Sequence, residues 1–89
     1  MAMKEDFEVG MTYKNWPHGN ATMKVIAKND DLERIQVELM NSKGNMVKRW
    51  TDIRRNYHNA TDSTTYVLVD VEKFYMPCFN ATDVVEVDA

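Results

Sequence analysis

Two neighbouring segments of the chain alternate apolar and polar residues with a period of two. The apolar positions are Ala21, Met23, Val25 and Ala27 in residues 21–28, and Ile35, Val37 and Leu39 in residues 32–40. Successive side chains of a strand point to opposite faces of a sheet, so this pattern predicts two half-buried β-strands. Short polar segments at 29–31 and 41–45 flank the second strand, and a further strand begins at Met46. Because such short turns join antiparallel neighbours, the three strands are predicted to form a meander.

The N-terminal part of the chain is predicted to add an edge strand and a loop. Residues 6–13 alternate apolar positions at Phe7, Val9 and Met11, and Gly10 among them predicts a bulge or a sharp bend. Residues 14–20 contain one Pro, one Gly and two Asn, which are residues that favour turns, so the first strand is predicted to end there.

The C-terminal half is less regular. Residues 47–57 fit either a bent strand or a helix, and we favour the strand. Residues 64–71 are rich in β-branched and aromatic side chains and predict another strand. An irregular apolar segment is expected around residues 74–77, and residues 84–87 are expected to add a last short strand.

These elements predict an all-β protein with about five strands, arranged as a small antiparallel meander or barrel, with at most one short helical turn. Closure is favoured because it removes exposed sheet edges from a small domain. The predicted core consists of Val25, Ile35, Val37, Leu39, Trp50, Tyr66, Leu68 and Val69.

The length of 89 residues predicts one domain over residues 3–89, with Met1 and Ala2 interpreted as an expression-vector remnant. Cys78 is the only cysteine, so the chain cannot form an internal disulfide. No apolar run is long enough to span a bilayer and no signal peptide is visible. We therefore expect a soluble cytoplasmic protein without a membrane partner.

Charge is distributed unevenly along the chain, although the net charge is −3. Residues 48–58 carry four positive and one negative charge, whereas residues 59–89 carry one positive and six negative. The basic segment contains two aromatic residues, Trp50 and Tyr57, together with the cations Lys48, Arg49, Arg54 and Arg55. Such a stretch could hold phosphates while a ring stacks on a base. It could also be the solvated face of a strand with Trp50 in the core, or a contact for an acidic protein.

Chemistry-bearing residues are scarce. His18 and His58 are the only histidines, and neither they nor Cys78 fall in a known nucleophile or metal-ligand spacing. We therefore expect a protein that is not an enzyme, with no catalytic residues, no metal and no cofactor. The tripeptide Asn-Ala-Thr occurs at 20–22, 59–61 and 80–82, and we interpret it as a turn that opens a strand rather than as a glycosylation site.

The segment Phe7-Glu8-Val9-Gly10-Met11-Thr12-Tyr13, followed by alternating strands and by Lys48-Arg49 after the Gly44 turn, resembles small SH3-like barrel proteins of phages and mobile elements. The resemblance covers residues 6–70. It implies a host-directed or virion accessory role, with inhibition of host defence as one example. The segment 54–63 and the tail after Val71 depart from that pattern.

We expect a small protein-binding module whose partner is a protein, and a nucleic-acid-binding accessory protein that uses residues 48–58 is the alternative. The region after Val71 carries Phe74, Tyr75, Met76 and Phe79. It is expected either to dock a partner or a second copy of the chain, or to cap the barrel and complete the core. The predicted partner-binding residues are Lys48, Arg49, Arg54, Arg55, Tyr57, Phe74, Tyr75 and Phe79.

Overall fold

The computed structural model describes residues 4–16, 19–57 and 63–85. It contains six strands in chain order: β1 (Thr12–Trp16), β2 (Thr22–Lys28), β3 (Arg34–Met40), β4 (Met46–Tyr57), β5 (Ser63–Leu68) and β6 (Cys78–Val84). A 3-10 turn at Lys4–Asp6 is the only helical structure among these residues. Both histidines and the Asn-Ala-Thr motif at 59–61 lie outside the described residues.

Each strand pairs antiparallel with its neighbours in the chain, and β6 returns to pair with β1, so the sheet is a closed barrel. The prediction of a small all-β barrel is therefore confirmed, and so is the strand over residues 47–57. The barrel has six strands rather than about five. The additional strand is β6, in which Phe79 is the only fully buried residue, so the sequence there has little apolar alternation.

β4 is long enough to serve two neighbours. Its first half pairs with β3 as far as Arg34↔Asp52, and its second half pairs with β5 from Ile53↔Val67. Ile53 belongs to both regions, because its N–H also bonds the Glu33 carbonyl beside β3 at 2.9 Å. The outward side chains of β4 consequently lie beside β3 at one end and beside β5 at the other.

The predicted core is correct for Val25, Ile35, Val37, Leu39 and Val69, all of which are buried. It is wrong for Trp50, Tyr66 and Leu68, which belong to the outer face. β5 and the residue after it carry apolar side chains in both phases of the alternation, so the sequence pattern does not decide which face is inside. In the barrel Thr65, Val67 and Val69 point inward, and Thr51 and Ile53 occupy the inward positions beside Trp50.

The N-terminal segment fills one region of the core instead of forming the predicted strand over 6–13. A turn bonded from Met11 N–H to the Glu8 carbonyl, with Gly10 at φ 94°, confirms the expected bend and delays β1 until Thr12. Phe7 is fully buried and its ring meets the Tyr13 ring edge-on at 5.1 Å between centroids. β1 then continues to Trp16, through residues predicted as loop.

Candidate functional site

The basic-aromatic stretch is divided between the two faces of β4. Lys48, Trp50 and Arg54 alternate on the outer face and are exposed. The side chain of Arg49 points to the opposite face of β4 and forms hydrogen bonds within the protein. Its guanidinium donates to the main-chain carbonyls of Asp70 at 3.2 Å and Val71 at 3.0 Å. Arg49 therefore holds β4 against the segment that follows β5.

Arg55 is also committed to the fold. Its side chain is 10% exposed and its Nη2 lies 3.1 Å from Oδ2 of Asp6. The Thr65 hydroxyl donates to the same carboxylate oxygen. This contact fastens the N-terminal turn to the barrel next to buried Phe7. The side chain of Tyr57 lies outside the described part of the structure.

The outer face of β4 carries both signs of charge. Asp52 alternates with Trp50 and Arg54, and its Oδ1 lies 3.0 Å from Nε of Arg34 as an ion pair without hydrogen-bond geometry. Within the described residues, the stretch 48–57 therefore does not form a purely basic patch. That outcome weakens the nucleic-acid interpretation of this stretch, because an anionic side chain stands between the cations.

An open cleft of about 200 Å³ lies on this outer face, and we call it the Trp50 cleft. Its apolar walls are Trp50, Leu68 and Met76, and its charged lining includes Arg34, Arg54 and Asp70. Trp50 is 41% exposed. The cleft thus combines apolar surface with cations and anions at its rim.

The segment that joins β5 to β6 presents an aromatic ring to solvent. Glu72 and Tyr75 exchange main-chain hydrogen bonds of 2.9 and 3.3 Å, which places Lys73 and Phe74 at the tip of a two-residue turn. Phe74 has φ 66° and is 96% exposed. The ammonium of Lys73 lies 5.3 Å from the centroid of the Phe74 ring.

This turn is held in place at its base. The Ser42 N–H in the β3–β4 turn donates to the Glu72 carboxylate at 2.9 Å. Hydrogen bonding by Ser42, through its side chain and its main chain, lowers the pKa of Glu72. Val71 N–H bonds the Tyr75 carbonyl at 3.2 Å. Phe74 therefore lies at the tip of a turn whose base is held by hydrogen bonds.

The two alternatives for the region after Val71 each hold for different residues. Phe79 is 0% exposed and belongs to the core, so it is withdrawn from the predicted partner-binding set. Tyr75 is half-buried and packs against the core. Phe74 and Met76 are exposed. The alternation of β6 accounts for the burial of Phe79, which takes the inward position between Cys78 and Asn80.

A second cleft, of about 180 Å³, lies on the outer face of β1, β4, β5 and β6, and we call it the Trp16 cleft. It is lined by Trp16, Asn56, Thr64, Tyr66, Cys78 and Asn80. Trp16 is 52% exposed and stands directly opposite Cys78 in the β1–β6 ladder. Sequence reasoning missed this site, since Trp16 falls in a predicted loop and its cleft partners come from three other strands.

Cys78 is half-buried on the outer face. Burial raises the pKa of its thiol, and the nearby Asp83 carboxylate raises the pKa further. Over the ranges 4–16, 19–57 and 63–85, no three His, Cys, Asp or Glu side chains are grouped as metal ligands. No helix in the same ranges is long and apolar enough to cross a membrane.

Comparison of the chain with protein-family models, with curated proteins and with solved structures finds no match.

Proposed function

We propose that this protein is a small protein-binding module that inserts Phe74 into a pocket of its partner and contacts the surrounding surface with the Trp50 cleft. The observation that carries the proposal is the conformation of Phe74. An aromatic residue at positive φ is a genuine outlier, because its Cβ approaches the backbone too closely. That conformation costs about 1–2 kcal/mol, and glycine or asparagine would reduce the cost.

Nothing within the described chain offsets this cost through packing. Phe74 is 96% exposed, and its one ring contact is with the exposed side chain of Lys73. Strained residues persist where they serve a site, and an exposed aromatic ring gains free energy only when something covers it. Burial of the Phe74 ring in a partner would supply about 1.5–3 kcal/mol.

The Trp50 cleft, which is lined by Met76 two residues after Phe74, has the composition of an interface core. Met76, Trp50 and Arg54 are residue types enriched at interfaces, with Trp and Arg prominent among hot spots. The cation of Lys73 accompanies the ring, so the partner pocket we infer is apolar with a carboxylate at its rim. Asp52 and Asp70 on the same surface favour a protein over a nucleic acid there. The resemblance to phage SH3-like proteins makes a host-directed accessory role the biological setting of this proposal.

Affinity capture with matched variants tests the proposal. Immobilised wild type is compared with Phe74→Gly, Phe74→Ala and Leu32→Ser in lysate from the source cell or its host. Leu32 is an exposed apolar residue in the β2–β3 turn, at the opposite end of β3 from the Ser42–Glu72 contact. A specific partner should bind wild type and Leu32→Ser, and both Phe74 variants should lose about 30-fold or more in affinity, as expected for a hot spot.

Retention of that partner by both Phe74 variants would refute the role of Phe74. Sedimentation equilibrium of the purified proteins runs alongside and asks whether the partner is a second copy of the chain. A wild-type oligomer that Phe74→Gly converts to a folded monomer would assign self-association to this turn.

A further inference from the structure

The Trp16 cleft has two aromatic walls and a polar floor. In the register, Trp16 of β1 faces Cys78 of β6, and Asn80 of β6 faces Tyr66 of β5. β6 therefore lies between the two rings. Neighbouring strands are about 4.8 Å apart, so Trp16 and Tyr66 stand on strands about 9.6 Å apart with Cys78 and Asn80 between them.

This separation suits one flat ring standing on edge between the walls. Side chains on a sheet stand roughly perpendicular to it, and offset-stacked rings have centroids about 4.5–7 Å apart. Trp16 and Tyr66 are also offset by two residues, or about 6.8 Å, along β6, so a ring midway between them would lie about 6 Å from each and within stacking distance of both. The cleft volume of about 180 Å³ is about six times the volume of a liquid water molecule, which is about 30 Å³.

The hydrogen-bonding groups of the cleft are uncharged. No Lys, Arg, Asp or Glu is among the residues that line it, and its polar side chains include Asn56, Asn80 and Thr64. A carboxamide presents a donor and an acceptor side by side. This pair is complementary to the edge of a nucleobase, as in the bidentate pairing of Asn with adenine. Asn80 lies at the floor, where the edge of an inserted ring would arrive.

From this arrangement we infer that the Trp16 cleft binds a nucleobase, stacked between Trp16 and Tyr66 and read on its edge by Asn80. Stacking on aromatic rings together with hydrogen bonds to the base edge is the way proteins recognise unpaired bases. Arg54 faces Tyr66 in the β4–β5 ladder and is exposed on the same face, so it is placed to contact the phosphate of a nucleotide. The base can come from a free nucleoside or nucleotide, or from a single strand.

Arg54 is shared with the Trp50 cleft, but Trp16, Tyr66 and Asn80 have no part in the proposed function. The 72–75 turn contributes none of the lining of the Trp16 cleft. Phe74→Gly should therefore bind bases as wild type does, and loss of base binding in Trp16 variants should leave protein binding by Phe74 intact. The failure of one proposal is consequently distinguishable from the failure of the other.

Tryptophan fluorescence provides a direct test. The chain has two Trp residues, so Trp50→Phe leaves Trp16 as the only one. This protein is titrated with the four nucleosides and with ten-nucleotide homopolymers of DNA and RNA. A stacked base should quench Trp16 saturably, with a millimolar Kd for a nucleoside. A tighter, salt-sensitive response to the homopolymers, reduced by Arg54→Ala, would identify a single strand as the source of the base.

Variants of the second wall decide whether the quenching reports this cleft. Tyr66→Phe should retain binding, and Tyr66→Ala should weaken it about 5- to 150-fold, the range for loss of one stacking contact. Far-ultraviolet circular dichroism checks that each variant is folded, and Asn80→Ala replaces Tyr66→Ala if the latter is not. Absence of saturable quenching at about 10 mM nucleoside overturns the inference. Quenching that is unchanged in the folded Tyr66→Ala or Asn80→Ala variant overturns it as well. Equal quenching by glucose or N-methylacetamide would overturn the assignment to a base.

Discussion

Replacement of Phe74 by glycine should stabilise the protein while it removes the proposed anchor. The left-handed conformation costs a residue with a Cβ about 1–2 kcal/mol, and glycine has no such cost. Glycine also gives the unfolded chain more freedom, which lowers stability by about 0.4–1 kcal/mol. The loss of the ring removes little, because Phe74 is 96% exposed.

Phe74→Ala isolates the backbone contribution. Alanine loses the same ring and keeps the strained φ of 66°. Any difference between the glycine and alanine variants therefore reports the backbone. From the two opposing contributions we expect the glycine variant to be more stable than the alanine variant by about 0.5–1 kcal/mol. For a domain of this size that corresponds to about 2–8 °C in Tm.

Urea and thermal unfolding, followed by circular dichroism at one protein concentration, measure this difference. Equal m-values for the two variants would show that the change lies in stability rather than in the extent of unfolding. A glycine variant that is no more stable than the alanine variant would refute the reasoning, because Phe74 would then carry no backbone cost that a partner must offset.

Three further predictions concern the barrel itself. Arg55→Ala should lower the free energy of unfolding in urea by about 1–2 kcal/mol, because it leaves the Asp6 carboxylate without its cation beside the core. An unchanged urea midpoint would show that this partly exposed pair contributes nothing to stability. Cys78 should react with iodoacetamide more slowly than free cysteine at pH 8, because burial and Asp83 raise the pKa of its thiol above 9.0. Asp83→Asn should speed the reaction. Reaction of wild type at the rate of free cysteine would contradict the prediction. Burial raises the pKa of Tyr13 above 10.0, so its contribution to stability should be complete below pH 10 and lost as the pH rises through the folded-state pKa. Urea midpoints measured between pH 9 and 11 should therefore fall less in Tyr13→Phe than in wild type. An equal fall in both proteins would contradict the assignment.

Local β structure could be read from the sequence wherever one face of a strand is apolar and the other polar. Residues 21–28 and 32–40 have this pattern, and short polar turns follow them, so strand type and antiparallel order can be read locally. The sequence named Phe74 as a partner-binding candidate together with Tyr75 and Phe79, and it left open whether this region is surface or core. The strained backbone of Phe74 could not be foreseen, because φ at a turn depends on how the flanking strands meet.

The inner face of β5, and the contacts between side chains of distant strands, are set by closure of the barrel. Tyr66 and Leu68 were predicted as core and lie outside, since Val67 and Val69 offer an equally apolar opposite face. The Trp16 cleft depends on pairing between β1 and β6, which are joined only when the barrel closes. The alternation of apolar and polar residues shows only that successive side chains point to opposite faces. The choice of the inner face and the pairing of distant strands depend on the free energy of packing the whole barrel.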